Sequence, residues 1–203
     1  MTLTDIDNDI DIRPLTAQRL ADFLDFFEQR AFTDNPKWQS CYCHFPHAEH
    51  ANVVWHERSA AQNRAATCER IASKTMTGWL AYSQGLAIGW CNAGPRRFIE
   101  GLFDEPEPLA ARIGAIACFV VASAFRGQGL ASALLGAACD GLREQGFEWA
   151  EAYPRSGAAG PAANHHGSLA MFSAAGFEVF TRRDEEDELT VRKRLIASAP
   201  AAG

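Results

Sequence analysis

The sequence has no excess of positive charge. Its 203 residues carry 19 Lys and Arg against 25 Asp and Glu, a net charge of -6. A surface built to grip phosphates usually leaves a basic footprint, so nucleic acid is not an expected partner. Long hydrophobic runs are also missing. The longest, Ile113 to Ala122, falls far short of the ~20 residues a membrane helix needs, so no membrane association is expected. The amino terminus, MTLTDIDNDIDIRPL, is acidic and lacks the basic and apolar regions of a secretory signal. The expected location is therefore cytoplasmic. No internal repeat and no linker divides the chain. What is present is ordinary globular composition, 47% hydrophobic and 22% charged, enough to build the core of one domain. Six cysteines (41, 43, 68, 91, 118 and 139) read as reduced thiols in a chain of this length without an export signal.

The pattern along the chain predicts one mixed α/β domain over residues 11–196, between polar tails at 1–10 and 197–203. Asp11 to Leu15 reads as a strand. Thr16 then caps a helix with Leu20, Phe23, Leu24 and Phe27 on its apolar face, ending near Ala31. A second helix is expected from Trp55 to Ser73. GWLAYSQGLAIGWC, from Gly78, reads as a hairpin turning at Ser83-Gln84-Gly85. Residues 96–112 read as loop or one short helix. Ile113 to Val121 is apolar without alternation, so a strand covered on both faces is expected. After Arg126-Gly127-Gln128-Gly129, apolar residues at 130, 134, 137, 138 and 142 keep helical spacing until Gly146. A strand at 147–153, a loop at 154–164, a helix at 166–175 and strands at 177–183 and 189–195 complete the order.

The segment that carries chemistry is FVVASAFRGQGLASALL, Phe119 to Leu135. A strand enters a glycine turn and a helix leaves it. Gly127 and Gly129 let backbone approach a ligand closely, and the helix start offers unpaired N–H groups with a positive dipole end. Together these form a pyrophosphate cradle, with Arg126 as a cation at its mouth. A Walker loop would need Gly-Lys-Ser/Thr, but Leu130 follows Gly129. A dinucleotide fingerprint would need Gly or Ala where Ser132 stands, after an early strand.

Arg126 to Ala131 resembles the Arg/Gln-x-x-Gly-x-Gly/Ala signature of the GNAT acetyltransferases. The opening IRPLT, the preceding hairpin, the position of Val121 and the closing Ala174-Ala175-Gly176-Phe177 follow the same order, so the resemblance covers roughly residues 11–195. GWCNAGPRR, the Cys-Tyr-Cys segment and EAYP are similar to those of a bacterial subgroup, a likeness that names no substrate. The resemblance implies a central, mostly antiparallel mixed sheet flanked by helices. It also implies a splayed strand pair at the acetyl-CoA site. Residues 11–95 would form the acceptor side and 113–195 the acetyl-CoA-binding side. Backbone N–H groups of Gly127, Gln128, Gly129, Leu130 and Ala131 would hold the pyrophosphate. Phe119, Val120 and Val121 would pair with the pantetheine arm, and an N–H near Val121 would polarise the thioester carbonyl. The implied reaction is direct transfer of acetyl from acetyl-CoA to a primary amine of a small molecule or protein. A homodimer would fit this resemblance. The alternative is a catalytically weak acyl-CoA-binding or sensor module.

At pH 7 only about one alkylamine in 2,500 is the free base, a deficit of roughly 4.6 kcal/mol, so a general base is useful. Glu151, on the strand beside the expected gap, is the first candidate. Many GNAT enzymes protonate the leaving thiolate with a tyrosine four residues before the closing Gly-Phe, where this chain has Phe172. Tyr153, His166 and Ser168 are the substitutes near in sequence. Trp38 and Tyr42, with Phe45, would wall the acceptor pocket. Cys41, Cys43, His44, His47 and His50 cluster, but C-x-C is not the spacing of a closed zinc site, and no metal is expected.

Overall fold

A computed structural model describes residues 10–99, 107–156, 164–183 and 187–196. The expected tails therefore lie outside the described residues, except Ile10, which opens the first strand. So do residues 100–106 of the loop expected at 96–112 and residues 157–163 of that expected at 154–164. The elements are β1 (Ile10–Pro14), α1 (Leu20–Gln29), α2 (Ala60–Ala72), β2 (Gly78–Ser83), β3 (Leu86–Pro95), β4 (Ile113–Val121), α3 (Leu130–Glu144), β5 (Trp149–Ala152), α4 (Leu169–Ala174), β6 (Glu178–Arg183) and β7 (Glu188–Arg194). Their order is the one the sequence predicts. They form one seven-stranded sheet ordered β1-β2-β3-β4-β5-β7-β6. Every pairing is antiparallel except β4 with β5.

The tight β2–β3 turn uses Gln84 (φ 49°) and Gly85 (φ 77°), the double left-handed turn whose twist matches the flanking strands. Helices cover both faces. One face buries Leu134, Leu135, Leu142 and Phe172 from α3 and α4. The other buries Phe23, Phe26 and Phe27 of α1 and Ile71 of α2. β4 lies between the two layers and is buried from Ile113 to Val120, which is why its sequence does not alternate.

Three element ends differ from the sequence reading. Thr16 makes no side-chain cap; a short 3-10 turn at Ala17–Arg19 precedes α1. The second helix starts at Ala60, five residues later than expected. Ser59 Oγ accepts from Gln62 N–H (3.2 Å) while Gln62 Oε1 accepts from Ser59 N–H (2.8 Å), a reciprocal cap that fixes the start. The fourth helix starts at Leu169 rather than His166. Gly167 is left-handed (φ 86°) and Ser168 caps the helix through Met171 N–H.

α3 lies close to the sheet because small residues face it. A Cβ added at Gly141 would come 2.2 Å from the Trp79 ring. Gly141→Ala should therefore cost about 1–3 kcal/mol despite the better helix propensity of alanine, read as a lower Tm in thermal denaturation.

Candidate active site

β5 is shorter than β4, and their parallel pairing runs only from Ile113↔Trp149 to Ile116↔Ala152. β4 continues for five more residues with β3 on one side and no β5 on the other. The edge from Ala117 to Val121 is thereby opened. It borders a cavity of about 870 Å³.

At one end of the cavity is the glycine turn. Gly127 (φ 74°) and Gly129 (φ 82°) adopt the left-handed backbone that favours glycine, and a Cβ at either would meet nothing within 4 Å. Open space thus faces the turn where a ligand can approach its N–H groups. α3 is a 15-residue helix, and buried Leu130 anchors its first turn. Phe119, Val120, Val121, Arg126, Gly127, Gly129, Leu130 and Ala131 all line the cavity. Gln128 does not: its side-chain amide folds back to donate to Ala124 O (2.9 Å). Arg126 is not a free cation. Its Nε donates to Val121 O (2.9 Å), and its two terminal nitrogens pair with Asp34, one at 3.1 Å.

Two polar groups of the opened edge are already engaged by the loop before α4. Phe119 N–H donates to His165 O (2.6 Å), and His166 Nδ1 donates to Ala117 O (2.7 Å). A carbonyl can only accept, so Nδ1 carries the proton and Nε2 keeps its lone pair. Burial, then the charge of neighbouring His165, pushes the His166 imidazole down to about 4, against the opposing bond to Ala117. It is neutral at physiological pH. Ser168 also lines the cavity, with its Oγ occupied in capping α4.

Glu151 and Tyr153 do not fit the roles expected of them. Neither lines the cavity. Glu151 is buried, and both its oxygens are engaged: Oε1 accepts from Arg96 Nε (2.9 Å) and Tyr153 OH (2.6 Å), and Oε2 from Arg192 Nε (2.6 Å). Arg192 also pairs with Glu107. A base must reach the substrate nitrogen, and this carboxylate is buried outside the cavity between two arginines. The Tyr153 phenol is pushed well up, first by burial and then by the Glu151 charge, so it holds its proton. Both residues serve to fix β5.

On the acceptor side Trp38 lines the cavity and meets His165 edge-on at 5.2 Å. Tyr42 does not line it. Its ring stacks on Phe27 in the core and its hydroxyl donates to Glu28 (3.3 Å). Phe27, Phe32, Phe45, Trp55 and Phe125 supply the remaining aromatic wall on this side. Of these, only Phe45 was singled out from sequence as a wall residue; the others gave no local signal of it. Phe172, at the tyrosine position, is fully buried between Phe119 and Phe177 and makes no part of the wall. Among the described residues no group of three His, Cys, Asp or Glu side chains could hold a metal ion. None of the described helices is long and apolar enough to cross a membrane.

Residues 37–177 match the Acetyltransferase (GNAT) family. The chain belongs to that family. Its activity is acyl transfer, and acetyl-CoA is the donor that GNAT enzymes use on amine substrates. No curated protein sequence matches the chain. Solved structures do. The fold is similar to yncA of Salmonella typhimurium, a putative acetyltransferase solved with acetyl-CoA (16% identity, 97% of this chain and 100% of that one, TM-score 0.58). It is similar to the GNAT domain of S. lividans PAT (20% identity, 90% and 89%, TM-score 0.58). It also resembles the ribosomal-protein-S18-alanine N-acetyltransferase of Escherichia coli (13% identity, 96% and 99%, TM-score 0.54). At these identities the likeness speaks for the fold. The glycine turn fits the family's donor: backbone donors, a helix dipole and clear space coincide there.

The ion-pair network around Glu151 yields a prediction that reverses the sequence expectation. Glu151→Gln leaves the buried Arg96 and Arg192 without their shared charge. It should cost about 3–5 kcal/mol of stability, seen as a large fall in Tm, and should not reshape the pH profile of turnover. A normal Tm with a lost pH-dependent limb would restore Glu151 as the base.

Proposed function

We propose that this GNAT enzyme transfers acetyl from acetyl-CoA to a primary amine of a small molecule or protein, by direct attack within one ternary complex. The observation that carries the reading is the single cavity joining the glycine turn, the opened β4 edge, the neutral His166 and the aromatic acceptor wall. Acetyl-CoA supplies an activated thioester, and the chain's residues do the rest. The N–H groups from Gly127 to Ala131 hold the pyrophosphate. The edge of Phe119 to Val121 orients the pantetheine arm, and the Phe119 N–H supports the thioester carbonyl once the His165 carbonyl yields it. The aromatic wall excludes water and positions the amine. His166 Nε2 takes the proton that the attacking nitrogen sheds. As the C–N bond forms the C–S bond breaks, and CoA leaves as a thiolate that takes its proton from the His166 imidazolium or from water; Phe172 has no proton to give it, and the Ser168 hydroxyl is held at the α4 cap.

A catalytically weak acyl-CoA-binding module is the second reading. Two observations favour it: Phe172 replaces a possible acid, and His165 O occupies the Phe119 N–H. Calorimetric titration of acetyl-CoA followed by turnover on an amine panel separates the two. Binding with transfer supports the enzyme; binding without transfer on any amine supports the module.

Gly129→Trp should weaken acetyl-CoA binding by about a hundredfold or more, since its bulk enters the space facing the turn and its backbone must stay left-handed. Unchanged affinity would remove the turn from the donor site. His166→Phe should lower kcat about a hundredfold while acetyl-CoA affinity stays within a few-fold. Because the imidazole is already neutral above about pH 4, it should add no inflection between pH 6 and 9. For an alkylamine the rate should instead climb about tenfold per pH unit, following the free amine. A bend near pH 6.5 that disappears in His166→Phe would contradict this assignment.

A further inference from the structure

Trp38, Phe45 and Trp55 line the acceptor side of the cavity, and the backbone between the first two is strained to bring them there. Trp38 sits in a 3-10 turn, Pro36–Cys41, that both helices pin. Gln39 Nε2 donates to Glu28 O of α1 (2.7 Å), and Asn63 Nδ2 of α2 donates to Ser40 O (3.0 Å). The next two residues, Tyr42 (φ 46°) and Cys43 (φ 52°), are left-handed without being glycine. Such strain persists only where the surroundings impose it. Thr67 Oγ1 donates to Tyr42 O (3.2 Å) and Asn92 Nδ2 to Cys43 O (3.4 Å), both from buried side chains. The reversal returns Phe45 to the cavity that Trp38 lines, where its ring meets Trp55 edge-on with centres 4.9 Å apart.

These rings are not packed away. Phe45 is 38% exposed, and Trp38 and Trp55 are only partly buried. A ligand that covers apolar area of this kind gains affinity in proportion to it. Trp38 also adjoins the proposed base through one intervening ring. It meets His165 edge-on at 5.2 Å, and the His165 and His166 ring centres are 3.9 Å apart. A ligand ring laid against Trp38 therefore carries an amine on a short arm towards His166. Charge narrows the class further. Among the described residues Asp34 is the one carboxylate that lines the cavity, and it pairs with Arg126 at the glycine turn. Lys37 and Arg155 line the cavity too, and neither can partner a second ammonium group. A polyamine would bury a charge there without a counter-ion. A peptide would bring amide groups to a wall made mostly of rings, which leaves them unpaired.

Given acetyl transfer at this site, we infer that the acceptor is a small monoamine with an aromatic body on a short aliphatic arm, and that Trp38 selects it. The ligand ring lies against Trp38, with Phe45 and Trp55 completing the pocket, and the nitrogen points to the acetyl group beside His166. The bonds made and broken are those of the proposed transfer.

Binding tests this without chemistry. Phenethylamine, butylamine and putrescine are titrated calorimetrically into the full chain, with and without saturating CoA. Phenethylamine should bind roughly fivefold or more tighter than butylamine, which lacks the ring. Butylamine should bind roughly tenfold or more tighter than putrescine, which differs from it by the second ammonium group. CoA should not displace phenethylamine. Trp38→Ala should shrink the preference for phenethylamine over butylamine to about twofold or less while CoA affinity holds, and Trp38→Phe should restore most of it; a merely structural role would weaken all ligands together. Putrescine binding as tightly as butylamine, a preference unchanged in Trp38→Ala, displacement of phenethylamine by CoA, tighter binding of a short apolar peptide, or no binding of any amine would each overturn the inference. Turnover with acetyl-CoA then separates it from the transferase reading. Binding in the stated order with no amine acetylated keeps the ligand class and removes the transferase. Acetylation of putrescine ahead of phenethylamine keeps the transferase and removes the ligand class.

Discussion

The site depends on a difference in strand length. β4 has nine residues and β5 has four, and their parallel ladder ends at Ile116 and Ala152. Had β5 continued, its backbone would have satisfied the donors and acceptors from Ala117 to Val121 and the sheet would have been closed. Because it stops, a row of main-chain groups is left deep in the molecule, between two apolar layers, needing partners. The loop at His165 and His166 supplies two of them. A ligand with amide groups can take the same places, since strand edges recognise extended chains by main-chain bonding.

Ending a strand inside a sheet leaves it prone to slip, and the buried ions beside β5 oppose this. Glu151 is held between Arg96, which follows β3, and Arg192 of β7. Arg192 reaches on to Glu107 and its guanidinium lies 3.6 Å from the Phe180 ring centre in β6. The carboxylate thus joins segments on both flanks of the gap. A network of this kind adds little net stability over apolar packing, but it specifies one register, because any slip would strand a charge in the core. That suits a gap whose width has to be fixed.

The order of elements and the glycine turn were legible because their signals are local. Gly127 and Gly129 stand in one turn, separated only by Gln128, and the spacing of Leu130, Leu134 and Leu142 marks a helix without reference to the rest of the chain. The Ser59–Gln62 cap is equally local, but the apolar ring of Trp55 extends the helical pattern ahead of it although that ring belongs to the cavity wall. Glu151 shows the opposite case. Its partners lie 55 and 41 residues away, and nothing in EAYP distinguishes a free carboxylate from one gripped by two arginines. Tyr42 likewise looked like a wall residue, but a left-handed backbone turned it into the core, and that conformation leaves no mark on composition. His166 enters from the sequence only as a stand-in for the acid missing at Phe172. Its fixed tautomer came only from the carbonyl opposite it.

Arg126 ties the glycine turn to the loop that holds Asp34. One side chain spans from the strand end at Val121 to Asp34 on the acceptor loop, at the mouth of the glycine turn. An anion arriving at the turn competes with Asp34 for the same guanidinium. Whatever that competition costs the anion, it also releases Asp34 and loosens the loop that Trp38 follows from. By thermodynamic reciprocity, an acceptor that favours the loosened loop must raise affinity for the anion by the same factor. Two ligands that met at this shared cation would be coupled in affinity, whichever arrived first.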